Sequence, residues 1–253
     1  VVCNSTLNYN SRVGILHLLA NTPATTDLVV VESAVTAINA PKFQNIRLVR
    51  PDIGIVTNIA PSHITGPGSG LETVARRKAN IVEGIKPGGT LLLNREVEFY
   101  DIFRQRAACR GVHVMTFGQS ADADLRLMTY DHETGTVTAR LPDGQELSYQ
   151  ISATGLHMAM NSLAAIGVRL LLGGDLEPFL QGLAEFQPVE GRGAVSQIEF
   201  EGKRLTVVDE SYNANPVSMQ AAISTFGQMK TEGRRILILG DMAELGTESA
   251  RYH

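Results

Sequence analysis

Three side chains suited to acid–base or metal chemistry stand beside apolar runs in this sequence of 253 residues. Glu32 closes the run Asp27-Leu-Val-Val-Val-Glu32. If that run is a strand of a parallel sheet, its carboxylate lies at the carboxyl edge, where ligands bind in such sheets; the plainer reading is a solvated loop acid. His63 lies in Asn58-Ile-Ala-Pro-Ser-His63-Ile-Thr-Gly66-Pro-Gly68-Ser69, just after a second apolar run, Asp52 to Thr57. A loop imidazole can ligate a metal or move a proton, and is also ordinary surface decoration. Lys78 belongs to Arg76-Arg77-Lys78. Three successive cations cannot share one direction on a helix, so one can turn toward a site while the others face solvent.

Glycine gives less direct support to phosphate chemistry. Gly66-Pro-Gly68 and Gly191-Arg192-Gly193 could bring backbone N–H groups or a guanidinium to a phosphate, but short Gly motifs also make turns. Neither Gly-x-x-x-x-Gly-Lys-Ser/Thr nor Gly-x-Gly-x-x-Gly occurs in the chain. Asp209-Glu-Ser-Tyr-Asn213-Ala-Asn215-Pro216 follows another apolar run and is dense in short polar side chains, which either cap the next helix or line a site.

The elements that must position these residues alternate. Asp27 to Glu32 and Asp52 to Thr57 read as buried strands of a parallel sheet. From Leu71 to Ile85 apolar residues recur at three and four positions and Pro87-Gly88-Gly89 ends the pattern, which predicts an amphipathic helix. Thr90 to Leu93 reads as a strand, Val97 to Cys109 as a helix and Val112 to Phe117 as a strand, the βαβ order of a doubly wound sheet. Ala123 to Ser152 changes to short alternating runs with turns at Glu133-Thr134-Gly135 and Pro142-Asp143-Gly144, which predicts a β-meander. Met158 to Leu172 and Leu176 to Ala184 read as helices. Beyond a domain boundary near Pro188 to Gly193 come strands Ala194 to Phe200 and Arg204 to Asp209, a helix Val217 to Met229 and a strand Arg235 to Leu239.

With 22 Lys+Arg against 26 Asp+Glu and 43% hydrophobic residues, the composition is that of a globular protein of one or two domains. The net charge of −4 supplies no bulk attraction for nucleic acid. The two cysteines, Cys3 and Cys109, stand alone, which suits a reducing compartment, and no apolar run approaches the roughly 20 residues that span a bilayer. A cytoplasmic protein without membrane contact is expected. Val1 is not an initiator Met, and the chain is expected to begin and end inside domains.

Taken in order, these segments resemble the Mur ligase family, ATP-dependent amide-forming enzymes of bacterial cell-wall synthesis, and most closely its D-alanyl-D-alanine-adding branch. The resemblance rests on Asn8-Tyr-Asn10-Ser-Arg-Val-Gly14, Val29-Val-Val-Glu32, the His63 loop, Ala75-Arg-Arg-Lys78-Ala79 with Gly84, Gly155-Leu-His157-Met-Ala-Met-Asn161, Gly191-Arg192-Gly193, the Asp209 to Pro216 segment with Ser218-Met219, and Leu239-Gly-Asp-Met-Ala-Glu244-Leu-Gly246. It implies an α/β fold: residues 1–189 would form the family's central ATPase domain, a parallel sheet flanked by helices with a small β-meander and without its phosphate loop. Residues 190–253 would open a Rossmann-like carboxy-terminal domain.

The same resemblance implies a reaction through an acyl phosphate, with ATP and Mg²⁺ as cofactors and a carboxylate acceptor, such as a UDP-sugar peptide, joined to an amine. Glu32 would hold one Mg²⁺, and His63 with a carbamylated Lys78 a second. Lys78, His63 and Arg192 are the implied catalytic residues. Asn161 would approach adenine, Arg192 the phosphates and Asp209 the ribose or the hinge, with Asn213 also on the nucleotide side. Without a phosphate loop, the chain by itself is expected not to catalyse ligation. A polyglutamate- or cyanophycin-type ligase, or a noncatalytic nucleotide-binding remnant, are the alternatives.

Overall fold

The computed structural model describes residues 1–5, 9–39, 44–60, 70–243, 245–246 and 249–253. The chain divides into two compact units. The first comprises Val1–Val56, Glu72–Leu93 and Val97–Met115, the second Thr57–Leu71, Asn94–Glu96 and Thr116–His253.

In the first unit β1 (Val2–Asn4) pairs in parallel with β2 (Leu28–Val30). Between them runs α1 (Arg12–Asn21), whose N-cap Ser11 accepts the Gly14 N–H. Two short helices follow, α2 (Val35–Ile38) and α3 (Gln44–Val49). β3 (Ile53–Val56) pairs in parallel with β4 (Thr90–Asn94), joined by α4 (Leu71–Ala79) and a 3-10 turn, Asn80–Glu83. The core holds Val82, Ile85, Leu91, Leu92, Leu93 and Phe103, all closed to solvent; Phe103 comes from α5 (Tyr100–Arg110), which Gly111 ends in a left-handed conformation.

The next strand, β5 (His113–Gly118), carries its end into the second unit, where Phe117 pairs in parallel with Leu125 of β6 (Leu125–Asp131). β6, β7 (Thr136–Arg140) and β8 (Glu146–Gln150) then form an antiparallel meander. Both of its turns place a glycine at positive φ, Gly135 at 70° and Gly144 at 87°, as tight hairpin connections require. The strand order of this six-stranded sheet is β3-β4-β5-β6-β7-β8.

α6 (Leu156–Leu172) packs on β6 with Leu163 and Ile166 buried. Ser162 on the same helix shares a 2.7 Å hydrogen bond with the Tyr149 hydroxyl, and burial pushes that phenol up to about 12. α7 (Glu177–Glu185) lies against β8. β9 (Ala194–Phe200) and β10 (Lys203–Asp209) form a separate antiparallel hairpin, followed by α8 (Pro216–Gln228) and the terminal turn α9 (Ser249–Tyr252).

Two expectations are corrected. The run from Asp27 to Glu32 is not a buried strand: only Leu28–Val30 is strand, it pairs among the described residues with β1 alone, and Val30 is 51% exposed. β-branched residues suit any pleated surface, so their presence does not say which sheet will take them. Arg235 to Leu239 is not a strand, and Ile238 is 93% exposed. A strand exists only through a hydrogen-bonded neighbour, and none pairs with this segment among the described residues.

Candidate active site

In the first unit, Glu32 follows β2 by two residues and is exposed. Its Oε1 accepts a hydrogen bond from Asn10 Nδ2 at 2.9 Å, and its N–H donates to Ser5 Oγ at 3.3 Å, so two loops hold the carboxylate outward. Lys78 sits in the last turn of α4 between the fully buried Ala75 and Ala79. Half-buried, its amine is pushed below the ordinary lysine range by desolvation. The helix end that carries it is pinned from α2: Asn39 Nδ2 donates to the carbonyl of Arg77, the residue before Lys78, at 2.9 Å, and Asn80 Nδ2 donates to Asn39 Oδ1. Nothing in sequence spacing links positions 39 and 77, so this contact is not legible in the sequence.

His63 and its loop, residues 61–69, lie outside the described residues, as do Asn8 and Glu244. Among the described residues no three His, Cys, Asp or Glu side chains gather to hold a metal ion. Glu32 alone still fits Mg²⁺ as one ligand, because it is an outward-facing hard oxygen donor and Mg²⁺ keeps several of its waters.

In the second unit two loops are zipped together. Asp209, at the end of β10, accepts the Gly191 N–H on Oδ2 at 3.1 Å and the Ser211 N–H on Oδ1 at 3.0 Å, and its carbonyl accepts the Gly193 N–H at 2.8 Å. The Gly191 carbonyl takes the Tyr212 N–H at 3.1 Å. Hydrogen bonds from Ser211 and then Gly191 hold the Asp209 carboxyl below the ordinary range.

Gly191, at φ 77°, has no room for a side chain: a Cβ there would stand 2.9 Å from Tyr212 Cβ. This close approach lays the Arg192 guanidinium over the Tyr212 ring, 4.1 Å from its centroid. Beside them burial and then the Asp209 charge push Glu210 up, while Arg192 pulls it down. Tyr212 and Glu210 were legible only as members of the polar segment, without a role.

Asn213 caps its own turn, its Oδ1 accepting the Ala214 N–H at 2.8 Å. Asn215 and Ser218 form a capping box that starts α8. Asn161, exposed on α6, makes among the described residues only a loose 4.0 Å contact to Met158 Sδ. At the start of that helix Gly155, at φ 108°, donates its N–H to the Tyr130 hydroxyl at 2.9 Å. His157 beside it is pushed down by burial. The structure thus brings Arg192 and Asp209 into one loop pair with Tyr212 and Glu210, leaves Asn161 on its helix, and holds Glu32 and Lys78 on separate elements of the first unit.

The Mur ligase middle domain family matches residues 1–169, and the Mur ligase glutamate ligase domain family matches residues 195–253. This α/β chain therefore belongs to the Mur ligase family. It is 31% identical to a UDP-N-acetylmuramoyl-tripeptide–D-alanyl-D-alanine ligase of Escherichia coli, over 99% of this chain and 55% of that protein. The crystal structure of MurF from Acinetobacter baumannii superposes with a TM-score of 0.86 at 24% identity, over 99% of this chain and 53% of that one. MurF ligase from Thermotoga maritima in complex with ADP does so with a TM-score of 0.78 at 22% identity, over 99% and 56%. The chain spans about half the length of the relatives it matches. None of its described helices is long and apolar enough to cross a membrane.

Proposed function

We propose that this chain is the nucleotide-handling part of a cytoplasmic ATP-dependent ligase that adds a dipeptide, D-alanyl-D-alanine, to a UDP-sugar peptide of peptidoglycan synthesis. Residues 1–189 are assigned to the central domain and 190–253 to the opening of the carboxy-terminal domain. The observation that carries the reading is the Arg192–Tyr212–Asp209 loop pair, which presents a guanidinium held by an aromatic face and a glycine-rich backbone at once. The dipeptide-adding branch is preferred to a polyglutamate-type ligase because the E. coli relative aligns along nearly the whole chain.

In this reading Arg192 meets the nucleotide phosphates, with a fork geometry suited to phosphate oxygens. Asp209, its oxygens already accepting backbone N–H groups, serves the hinge more than the ribose; Asn161 and Asn213 stand on the adenine side. Glu32, His63 and Lys78 would hold Mg²⁺, and the ion, when bound, would offset the charge of triphosphate and carboxylate brought together. Burial favours the neutral amine of Lys78, the form that captures carbon dioxide as a carbamate, and that carbamate supplies the anionic oxygen Mg²⁺ prefers. Asn39, by fixing the Arg77 carbonyl, sets the position of that lysine.

The test is ligation by the ligation-competent enzyme with Lys78→Ala. Phosphate release dependent on both acceptor and dipeptide should disappear, and formate or acetate should restore part of it. Full activity of Lys78→Ala would remove the carbamate from the reaction.

A further inference from the structure

Helix α4, the 3-10 turn and α5 border an open concavity of about 350 Å³ lined by Arg76, Glu83, Ile102, Gln105, Arg106, Cys109 and Arg110. None of these residues belongs to the site proposed above. In a chain of net charge −4, three guanidiniums here face one carboxylate. That carboxylate is already shared, with Glu83 Oε2 3.7 Å from Arg47 and 4.0 Å from Arg110. Arg76 is held by Glu72, its Nε at 2.9 Å and Nη2 at 2.6 Å, which leaves its other amino group to the concavity.

Arg106 is half-buried and makes no ion pair or hydrogen bond with the described residues. It also stands one helical turn before Arg110 on α5, a spacing at which like charges repel. A partly desolvated, unpaired cation beside a second one is unfavourable unless something anionic offsets it. Of the three arginines in the wall, Arg76 is matched by Glu72 and Arg110 by Glu83, which leaves Arg106 without a counter-charge among the described residues.

We propose that this concavity binds a small phosphate monoester, the phosphoryl oxygens taken by Arg76, Arg106 and Arg110 and the organic group resting on Ile102. Three guanidiniums lining one concavity offer more donors than the two oxygens of a carboxylate can use, and suit the three terminal oxygens of a phosphoryl group.

Cys109, an exposed thiol in the wall, reports occupancy locally, and Cys3 serves as the internal reference. The experiment measures the alkylation rate of each cysteine by iodoacetamide, read by peptide mass spectrometry, with inorganic phosphate against sodium chloride or acetate at equal ionic strength. Phosphate should slow Cys109 saturably at millimolar concentration and leave Cys3 unchanged. Arg106→Gln with Arg110→Gln should raise the phosphate concentration needed by about tenfold or more. An unaltered Cys109 rate, equal protection by acetate, or protection that survives the double substitution would overturn the proposal.

Discussion

Lys78 occupies a place where a charged amine is costly, between two fully buried alanines on α4, and burial lowers its pKa accordingly. The neutral fraction so gained should make it the lysine that takes up carbon dioxide. In ¹³C-bicarbonate buffer the 253-residue chain should show a carbamate resonance that Lys78→Met removes and that fades as pH falls, because protonation consumes the reactive amine; a resonance indifferent to Lys78→Met contradicts this. Asp209 behaves in the opposite sense. Its folded pKa lies below the ordinary aspartate value of 3.8, so its hold on Gly191 and Ser211 is complete above that value and is lost only as pH falls through the lower, folded one. The Gly191 amide resonance should therefore titrate with a midpoint below 3.8, and a midpoint at or above it contradicts the geometry.

Tyr212 should act through Arg192. Tyr212→Ala should weaken ADP binding several-fold, in line with about 1 kcal/mol for a cation–π contact, while Tyr212→Phe keeps it. Equal loss in both would assign the effect to the hydroxyl instead. At this scale the sequence named Arg192 and Asp209 through their motifs, but no spacing rule could announce that Gly191 brings Tyr212 beneath the guanidinium, because that contact depends on a positive φ and a missing Cβ.

At the scale of elements, the meander was legible because its turns carry glycines that only a left-handed backbone explains, and β9 because seven residues between Gly193 and Glu201 read as one strand. The helix anticipated from Leu71 to Ile85 is α-helical only to Ala79 and then tightens into the 3-10 turn. Gly84 follows that turn in a right-handed conformation, and packing demands a glycine there. A Cβ at that position would stand 2.5 Å from Ile46 Cγ1 and closer still to the Ile46 carbonyl oxygen, so α3 can approach only a glycine. Gly84→Ala should cost about 1–3 kcal/mol, lowering the melting temperature by roughly 2–12 °C in a chain of this size. An unchanged melting curve would mean that α3 yields without cost.

The helices α1 to α3 escaped the sequence reading because their apolar residues do not form a stripe; in α1, Ile15 is buried while Val13 and Leu16 are exposed. Arg235 to Leu239 shows the converse failure, since an apolar β-branched run states a capacity for pairing and not the partner.

For the molecule as a whole, family membership was readable from ordered motifs, whereas the arginine cluster around Arg106 was not: it arises from α4 with its 3-10 turn and from α5, which β4 separates in sequence. The central claim is that the loops at 191–193 and 209–212 are built for a nucleotide, and titration calorimetry of the 253-residue chain with ADP in the presence of Mg²⁺ tests it most directly. The account predicts saturable one-to-one binding that Arg192→Ala weakens by about tenfold or more, as loss of a charge-assisted contact to phosphate should. Absence of saturable binding, or an Arg192→Ala chain that binds ADP as the parent does, would contradict it.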